Sequence, residues 1–333
     1  MKFSLVVCTY MRPQTVLQLL QSVQLQTLYP NEILIIDGSP TDDTKIIFDN
    51  NHIENLVYRK VSPEFRGLTK QRNFGVQNVS ASSEIICFLD DDTVLKPEYF
   101  FEIIEVFKHN PEYIGVGGIS INDYLWQTKK PDVNYDKNRF YEFEGYVYPE
   151  GLRNVVRNKL GLSSDLGPSR MPAFSHGRTC GFPLNDKIYE VDLLIGMSMS
   201  FRAKLFKEIS FSTYFEGYGL YEDADFSLRA LNYGQNAIST RAQLYHNHEP
   251  SGRPNQYHYG KMVVRNGWYV WRVKNRNPKF RDRIKWHTIT LVLTMIRFLN
   301  VITTKQKKAA FTEAIGRTVG WWSLLFSKPK IDK

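Results

Sequence analysis

Cysteine is scarce in this sequence of 333 residues. The three cysteines, Cys8, Cys87 and Cys180, are odd in number and far apart along the chain. This spacing favours buried free thiols in a reducing compartment and argues against a disulfide framework.

Long uncharged apolar runs are also missing. The most apolar segment, 286–302, is interrupted by Arg297, and no uncharged run reaches the ~20 residues that a membrane-spanning helix needs. The apolar run at the N-terminus stops at Thr9 without a small-residue cleavage site. We therefore interpret it as a first strand, not a signal peptide, and expect a cytoplasmic protein.

The excess of positive charge lies in the C-terminal part of the chain. Residues 251–333 contain 18 Lys and Arg against 3 Asp and Glu, a net charge of +15, whereas residues 1–250 carry −6 of the total of +9. The basic character is therefore a property of a C-terminal tail.

Residues 3–118 alternate short β-branched runs with amphipathic stretches. The apolar runs are FSLVVCT, EILIID, NLVYRKV, EIICFLD and YIGVGGIS, and the stretches between them are 13–27, 42–50, 66–79 and 97–109. Continuous Val, Ile and Leu runs separated by helices predict an α/β fold with a mostly parallel sheet covered by helices on both faces.

The remaining sequence is divided into an irregular segment and a helical extension. Residues 122–190 lose the periodicity and are rich in Tyr, Asn, Pro and Gly, which predicts a long irregular insertion. A strand at 193–202, a helix near 221–233 and a strand at 242–249 are expected next, followed by helices over 256–326. We predict one domain over 1–250 and a basic, aromatic helical tail over 251–333.

Three carboxylates follow one another at the end of the run Ile85–Leu89. Asp90, Asp91 and Asp92 repel one another unless a cation neutralises them, and Mg²⁺ or Mn²⁺ prefers such oxygen ligands. The alternative is a solvated acidic turn before the helix at 96–109. At the carboxyl end of a buried parallel strand, where ligands bind in such sheets, the metal site is the stronger hypothesis.

A second acidic group lies in GYGLYEDADFSLR. In a helix, Asp225 and Arg229 form an i,i+4 pair, which is a structural brace. Asp223 falls on another face at the helix start, where it could accept a proton from an attacking hydroxyl. An ordinary acidic first turn explains the same stretch.

Two histidines and a basic segment remain. His246 and His248 share a face of the strand at 242–249 and could ligate a metal beside Asp92, although each could equally be a satisfied core or surface residue. Lys70 and Arg72 could neutralise a diphosphate or could belong to a solvated helix face.

Over about residues 3–250 the chain resembles the family 2 glycosyltransferases, a large group of inverting enzymes with the GT-A fold. The matching segments, in order, are VVCTYMRP, IIDGSPTDDT, GLTKQRNFG, FLDDDTVL, LIGMSMSFR, GYGLYEDADFSLRALNYG and LYHNH. The insertion at 122–190 has no counterpart that we can align, and it lies where acceptor-contacting loops would be expected.

The resemblance implies a role for each matched position. The residues that would line the nucleotide site are Thr9, Tyr10, Arg12, Asp37, Lys70, Arg72 and Asn73, with Asp37 on the base. The acidic triplet stands in the DXD position, so that Asp90 or Asp91 would face the ribose and Asp92 would bind Mn²⁺ or Mg²⁺. Asp223 would be the general base, supported by Glu222, Asp225 and Arg229. His246, or as second choice His248, would complete the metal site.

The expected activity is therefore transfer of a sugar, with inversion, from a nucleotide-diphosphate donor to a glycan or lipid-linked acceptor. A sugar nucleotidyltransferase is the alternative enzyme, but the position after the first strand reads CTYMRPQT, without the glycines of a phosphate loop. A non-catalytic carbohydrate-binding or membrane-binding protein is a third possibility.

The tail combines positive charge with five of the six tryptophans. Basic helices with an apolar face bind anionic membranes, which predicts peripheral contact with the inner face of the cell membrane. The alternative is a helical bundle with a solvated basic face. No motif predicts nucleic-acid binding.

Overall fold

A computed structural model describes residues 1–122, 124–248 and 254–331. The chain forms two compact units, Met1–Tyr124 with Leu184–Arg253, and Leu125–Pro183 with Pro254–Lys333. Most of the segment 122–190 therefore belongs to the same unit as the C-terminal helices.

The strands in chain order are β1 (Phe3–Thr9), β2 (Glu32–Asp37), β3 (Leu56–Lys60), β4 (Ile85–Asp90), β5 (Thr93–Leu95), β6 (Tyr113–Ser120), β7 (Gln127–Thr128), β8 (Phe140–Phe143), β9 (Tyr146–Pro149), β10 (Ile188–Val191), β11 (Ser198–Arg202) and β12 (Gln235–His246). The α-helices are α1 (Pro13–Gln24), α2 (Asp43–Asp49), α3 (Leu68–Asn78), α4 (Tyr99–His109), α5 (Leu152–Lys159), α6 (Glu222–Ala230), α7 (Gln256–Lys274), α8 (Phe280–Thr303) and α9 (Lys307–Phe326).

The first unit is built on one mixed sheet in the order β10-β12-β6-β11-β4-β1-β2-β3, with β5 paired to β12. Strands β4, β1, β2 and β3 are parallel, and β6 is parallel to β12, as the α/β pattern predicts. In contrast, β11 runs antiparallel between β4 and β6. Between β6 and β11 the chain passes through residues 125–183 of the second unit, and antiparallel pairing needs no helical crossover on the sheet.

The register places the functional strand ends at one edge. Thr9 pairs with Asp37, and Cys8 pairs with Asp90. The carboxyl ends of β1, β2 and β4 therefore carry their polar side chains side by side, as expected for a ligand-binding edge of a parallel sheet.

Helices cover both faces of this sheet. Leu5 and Val7 belong to the hydrophobic core that includes Val16 and Leu20 of α1. Val6 points the other way and meets α3, where a Cβ added to Gly75 would lie 2.6 Å from Val6 Cγ1. Alternate residues of β1 thus pack against opposite layers, which explains its continuous apolar sequence.

The second unit combines a small antiparallel sheet, β7-β9-β8, with α5, α7, α8 and α9. The sheet and α5 lie in the segment expected to be irregular. Its strands span two to four residues, which is too short for a periodic pattern to appear in the sequence. Aromatic contacts hold the sheet, such as Trp126 against Tyr148 at 5.2 Å between ring centroids.

The C-terminal helices form a packed bundle. Trp271 of α7 stacks on Trp286 of α8 at 5.3 Å. Helices α7 and α9 approach so closely that a Cβ at Gly316 would overlap the carbonyl oxygen of Tyr257. By length and composition alone α8 could cross a membrane, and 17% of its most apolar window is buried. A core helix can satisfy the same criteria, so this finding does not by itself assign a membrane span.

Helix α6 contains the expected pair between Asp225 and Arg229. Asp225 is fully buried, and the Arg229 Nη2 lies 2.6 Å from its carboxylate and also donates to the carbonyl oxygen of Ser210. The pair therefore ties α6 to the segment that precedes it.

We predict that Asp225→Ala lowers the free energy of unfolding by about 3–5 kcal/mol, because it leaves a buried guanidinium without its carboxylate. Urea denaturation measures this loss. The control is Asp49→Ala, which removes an exposed i,i+4 pair with Lys45 and should change stability by less than about 1 kcal/mol. Equal effects of the two variants would contradict a buried brace.

Candidate active site

The three adjacent aspartates have different surroundings. Asp91 accepts hydrogen bonds from Thr9 Oγ1 at 2.7 Å and Arg12 Nη1 at 2.9 Å. Both donors come from the end of β1 and the loop after it, so this carboxylate joins β4 to β1. Asp90 and Asp92 face His246 instead.

Asp90, Asp92 and His246 form a candidate metal centre. One ligand atom from each lies within 4.8 Å of the others, and the His246 Nε2 is 3.1 Å from Asp92 Oδ1 and 3.9 Å from Asp90 Oδ2. The backbone amide of Asn247 donates to the Asp92 carbonyl at 2.9 Å, which fixes the end of β12 against the triplet. Two carboxylates and an imidazole form a donor set that fits Mn²⁺, with the imidazole less suited to Mg²⁺.

His248 lies beside this group. Its ring centroid is 4.1 Å from that of His246, and its backbone has a left-handed φ of 52°. The residue follows β12, so it does not share a regular strand face with His246. His246, the first choice from the sequence, is the histidine that faces the carboxylates.

Arg72 lies beneath the acidic residues with 2% of its side chain exposed. It pairs with Glu222, and its Nη2 lies 3.3 Å from both Asp90 Oδ1 and the Gly196 carbonyl oxygen. The sequence suggests a diphosphate contact for Arg72. In the structure its guanidinium connects β4 to the start of α6.

Burial raises the pKa values of the clustered carboxyl groups. It is the main cause for Glu222, whose pKa rises to about 8 although Arg72 opposes the shift, and for Asp91, whose pKa rises to about 6 against the opposing effect of Arg12. Burial also raises the pKa of Asp90, with Asp92 and Asp223 adding to the effect and Arg72 and His246 opposing it. A bound cation would relieve this accumulation of negative charge.

Asp223 is partly exposed at the start of α6. The helix begins after Tyr221, which has a left-handed φ of 72°. The Asp223 carboxylate accepts hydrogen bonds from the backbone amides of Gly196 at 2.9 Å and Ala224 at 2.8 Å. Burial raises its pKa, while these two hydrogen bonds lower it. An oriented carboxylate with a raised pKa has the properties of a general base.

The nucleotide-site candidates at the ends of β1 and β2 differ in the exposure of their side chains. Tyr10 is 44% exposed and available to a ligand. Asp37 is fully buried and accepts hydrogen bonds from the Ser39 amide at 2.7 Å and the Tyr58 hydroxyl at 2.8 Å. The Met11 amide donates to Ser39 Oγ at 2.7 Å, so these residues fix the loop after β1.

Lys70 and Asn73 contact other parts of the first unit. Lys70 forms an ion pair of 3.2 Å with Glu216. The Asn73 amide bonds both the backbone nitrogen and the carbonyl of Phe211. These described contacts join α3 to residues 211–216 and do not include the acidic triplet.

The sequence analysis did not predict two residues that hold the candidate site together. Gln71 Nε2 donates to the carbonyls of Thr9 at 3.1 Å and Ile36 at 2.8 Å, and so joins the ends of β1 and β2. Gly196 accepts from Arg72 and donates to Asp223, which links the two acidic groups. Gln71 lies inside the matched segment GLTKQRNFG, and that position was the available signal for it. Gly196 lies in the matched segment LIGMSMSFR, but nothing in that segment assigned it a contact.

Comparisons with known proteins find similar sequences among glycosyltransferases. Residues 4–160 match the family model "Glycosyl transferase family 2". Over 178 residues the chain is 28% identical to a glucosyl-dolichyl phosphate glucuronosyltransferase of Haloferax volcanii, covering 50% of this chain and 54% of that relative. Over 119 residues it is 38% identical to a poly-beta-1,6-N-acetyl-D-glucosamine synthase of Staphylococcus epidermidis, covering 34% of this chain and 27% of that relative. The chain thus spans about half the length of the first relative and less of the second.

A solved structure extends the likeness to the fold of nearly the whole chain. The mannosyltransferase PcManGT from Pyrobaculum calidifontis, in complex with GDP-Man and Mn²⁺, matches 98% of this chain and 88% of its own, with a TM-score of 0.55. Its sequence identity of 13% makes this a similarity of fold.

We predict that the protein binds UDP or GDP weakly in EDTA and at least tenfold more tightly with Mn²⁺, because phosphates and carboxylates repel without the cation. Asp92→Ala should abolish the Mn²⁺ dependence, since it removes a metal ligand. Titration calorimetry with both nucleotides measures the effect, with Asp49→Ala as the exposed acidic control. Wild-type binding that is equal in EDTA and in Mn²⁺ would contradict the metal centre.

Proposed function

We propose that this chain is a member of glycosyl transferase family 2, whose model matches residues 4–160, and that it is an inverting transferase that moves a sugar from a nucleotide-diphosphate donor to an acceptor hydroxyl. One observation carries the proposal. Gly196 accepts from Arg72, which contacts the metal candidate Asp90, and donates to Asp223, so a cation-binding group and a candidate base lie on either side of one backbone unit. Such a transfer requires both groups.

The leaving nucleotide diphosphate develops negative charge. Asp90, Asp92 and His246 would hold Mn²⁺ or Mg²⁺, which supplies positive charge to this leaving group. Arg12 lies 4.0 Å from Asp92, and it orients the triplet through Asp91. Tyr10, exposed beside them, is suited to contact the nucleotide.

The acceptor hydroxyl must lose a proton as it attacks the anomeric carbon. Asp223 takes that proton, because its carboxylate is partly exposed and is held by two backbone amides. Attack from the face opposite the leaving group inverts the anomeric centre. Glu222 keeps Arg72 in place and thereby positions Asp223.

The donor and acceptor are proposed at the level of class. The glucuronosyltransferase relative is named for a glucosyl-dolichyl phosphate, and the mannosyltransferase was solved with GDP-Man. These names support a nucleotide-diphosphate sugar as donor and a glycan or lipid-linked hydroxyl as acceptor. We propose that the first unit carries the catalytic residues.

We further propose that the second unit binds the inner face of an anionic membrane. An apolar stripe on α8 and α9 supports this, formed by residues that are 36–87% exposed: Ile284, Leu291, Met295, Phe298, Leu299, Ile302, Phe311, Val319, Trp322, Leu325 and Phe326. Phe298 and Phe311 are in ring contact, so the exposed faces of the two helices meet. Exposed Lys305, Lys307 and Lys308 lie in and just after the connection between α8 and α9, where they can contact lipid phosphates.

Asp223→Asn tests the catalytic proposal. The amide keeps the size of the carboxylate but cannot accept the proton, so transfer should fall by about 10²- to 10⁴-fold. Nucleotide and Mn²⁺ affinity should stay near wild type. Wild-type transfer should decline as the pH falls through the raised pKa of Asp223, because protonation inactivates a base. Sugar transfer is measured with a panel of nucleotide-sugar donors.

Asp225→Asn is the matched control. Asp225 lies two residues from Asp223 in α6 but pairs with Arg229. The substitution should therefore lower stability and leave turnover per folded molecule largely intact. Normal transfer by Asp223→Asn, with an inactive Asp225→Asn or Glu222→Gln, would place the base on another carboxylate. Activity in all three variants would refute the proposed mechanism.

Met295→Glu with Leu299→Glu tests the membrane proposal. Both side chains are more than half exposed, so the fold should survive while sedimentation with phosphatidylglycerol vesicles is lost. The control is Leu25→Glu, because Leu25 is 72% exposed in the first unit, and it should sediment as wild type does. Unchanged sedimentation of the double variant would favour a bundle with a solvated surface.

A further inference from the structure

The second unit contains a basic cavity formed by α5 and the loop that follows it. The space between its wall atoms is about 290 Å³, a figure that includes open solvent at the mouth. Its wall includes Arg157, Arg170, Arg178, Ser163, Ser175 and His176. These residues all lie within 150–178, where five Lys and Arg face two Asp and Glu, so the local charge is positive.

Two of these arginines, Arg157 and Arg178, have different partners. Arg178 pairs with Glu150 and lies over the ring of Tyr141, 4.1 Å from its centroid. The described hydrogen bonds of Arg157 go to neutral oxygens, Ser175 Oγ at 3.1 Å and the Leu162 carbonyl at 3.3 Å. Glu150 therefore neutralises Arg178, whereas the described hydrogen bonds of Arg157 include no carboxylate.

Two donors of this cluster lack acceptors. The Nε atoms of Arg157 and Arg178 are buried and have no hydrogen-bond partner among the described residues. A buried donor without an acceptor costs free energy, more so when it is charged. Burial, with Arg178 and Arg153 adding to it, lowers the pKa of Arg157 to about 10. Burial, then Arg157 and Arg153, lowers the pKa of His176 to about 4. An anion in the cavity would relieve this crowding of positive charge.

We propose that this cavity is a binding site for a phosphoryl group. Guanidinium groups match the geometry of phosphate oxygens and hold them with paired hydrogen bonds. Ser163 and Ser175 add hydroxyl groups, and His176 adds a neutral imidazole. A dianion offsets more of the positive charge here than a single carboxylate does, and a neutral sugar offsets none. The site lies wholly in the second unit and does not depend on the proposed transfer reaction.

Titration calorimetry of the full chain tests this site with two probes, inorganic phosphate and hexyl phosphate. EDTA is present throughout, so that metal-dependent phosphate binding at the acidic triplet does not contribute. Wild type should bind phosphate saturably. Arg157→Gln should weaken binding by about 10-fold or more, as expected for loss of a charged hydrogen bond. Binding of hexyl phosphate as well would identify a phosphate ester as ligand, and binding of phosphate alone would identify the free ion; either result supports the site.

Two further variants keep the test decisive if Arg157→Gln fails to fold. Arg153 is exposed on α5 and acts on the cavity through its charge, so Arg153→Gln should weaken binding by about two- to fivefold without unfolding the protein. Arg139→Gln is the matched control, because Arg139 is exposed and lies near Asp136 in the same unit, and it should bind as wild type does. Absence of saturable binding by wild type, or wild-type affinity in Arg153→Gln and in folded Arg157→Gln, would overturn the proposal.

Discussion

The ion pairs of Arg72 are the constraint on which the arrangement of the first unit's acidic residues depends. Glu222 and Asp90 come from different elements and both face this one guanidinium. Burial lowers the pKa of Arg72, but the two carboxylates raise it and outweigh burial, so the charge is retained. The rings of Phe88 and Phe211 lie 5.9 and 5.4 Å away and exclude water. A buried pair of this kind is costly to break from one side, because the remaining charge has no solvent. The position of α6 relative to β4 therefore depends on the pairing of Arg72 with Glu222 and Asp90.

Adjacent carboxylates in this cluster have different partners. Asp91 is held by Thr9 and Arg12, whereas Asp92 shares His246 with Asp90. Glu222 is committed to Arg72, and Asp223 is held by backbone amides, which orient it without placing a full positive charge beside it. These hydrogen bonds and Arg72 lower the pKa of Asp223, but burial raises it by more, so the carboxylate has a raised affinity for a proton. The partner of each group, more than its residue type, determines what chemistry it can perform.

Sequence patterns predicted the parts of the fold that depend on residues close together in the chain. Continuous apolar runs predicted the parallel strands, and the polar residues that follow them lie at one edge because parallel strands share their direction. Hydrogen bonds between residues that are distant in the chain were harder to predict from the sequence. Nothing near Asn73 indicates that it binds the backbone of Phe211, and nothing near Ala173 indicates that its carbonyl accepts from Trp271 Nε1 at 2.8 Å. The association of 125–183 with the C-terminal helices depends on such contacts, so composition suggested an irregular insertion where the chain forms a sheet and a helix.

In the C-terminal helices, charged residues that interrupt the apolar sequence form ion pairs between α8 and α9. Arg297 interrupts the apolar run of α8, yet its Nε lies 2.6 Å from Glu313 of α9, whose side chain is 5% exposed. Arg317 reaches the same carboxylate at 2.8 Å. Three charges of the two helices are thus gathered at their contact, while the apolar side chains of α8 continue past Arg297 on the outer face as Leu299 and Ile302. Because the ionic groups face inward, the outer face of the hairpin is more apolar than its sequence suggests. A packed bundle and an exposed apolar face, which appeared as alternatives in the sequence, are therefore compatible in one structure.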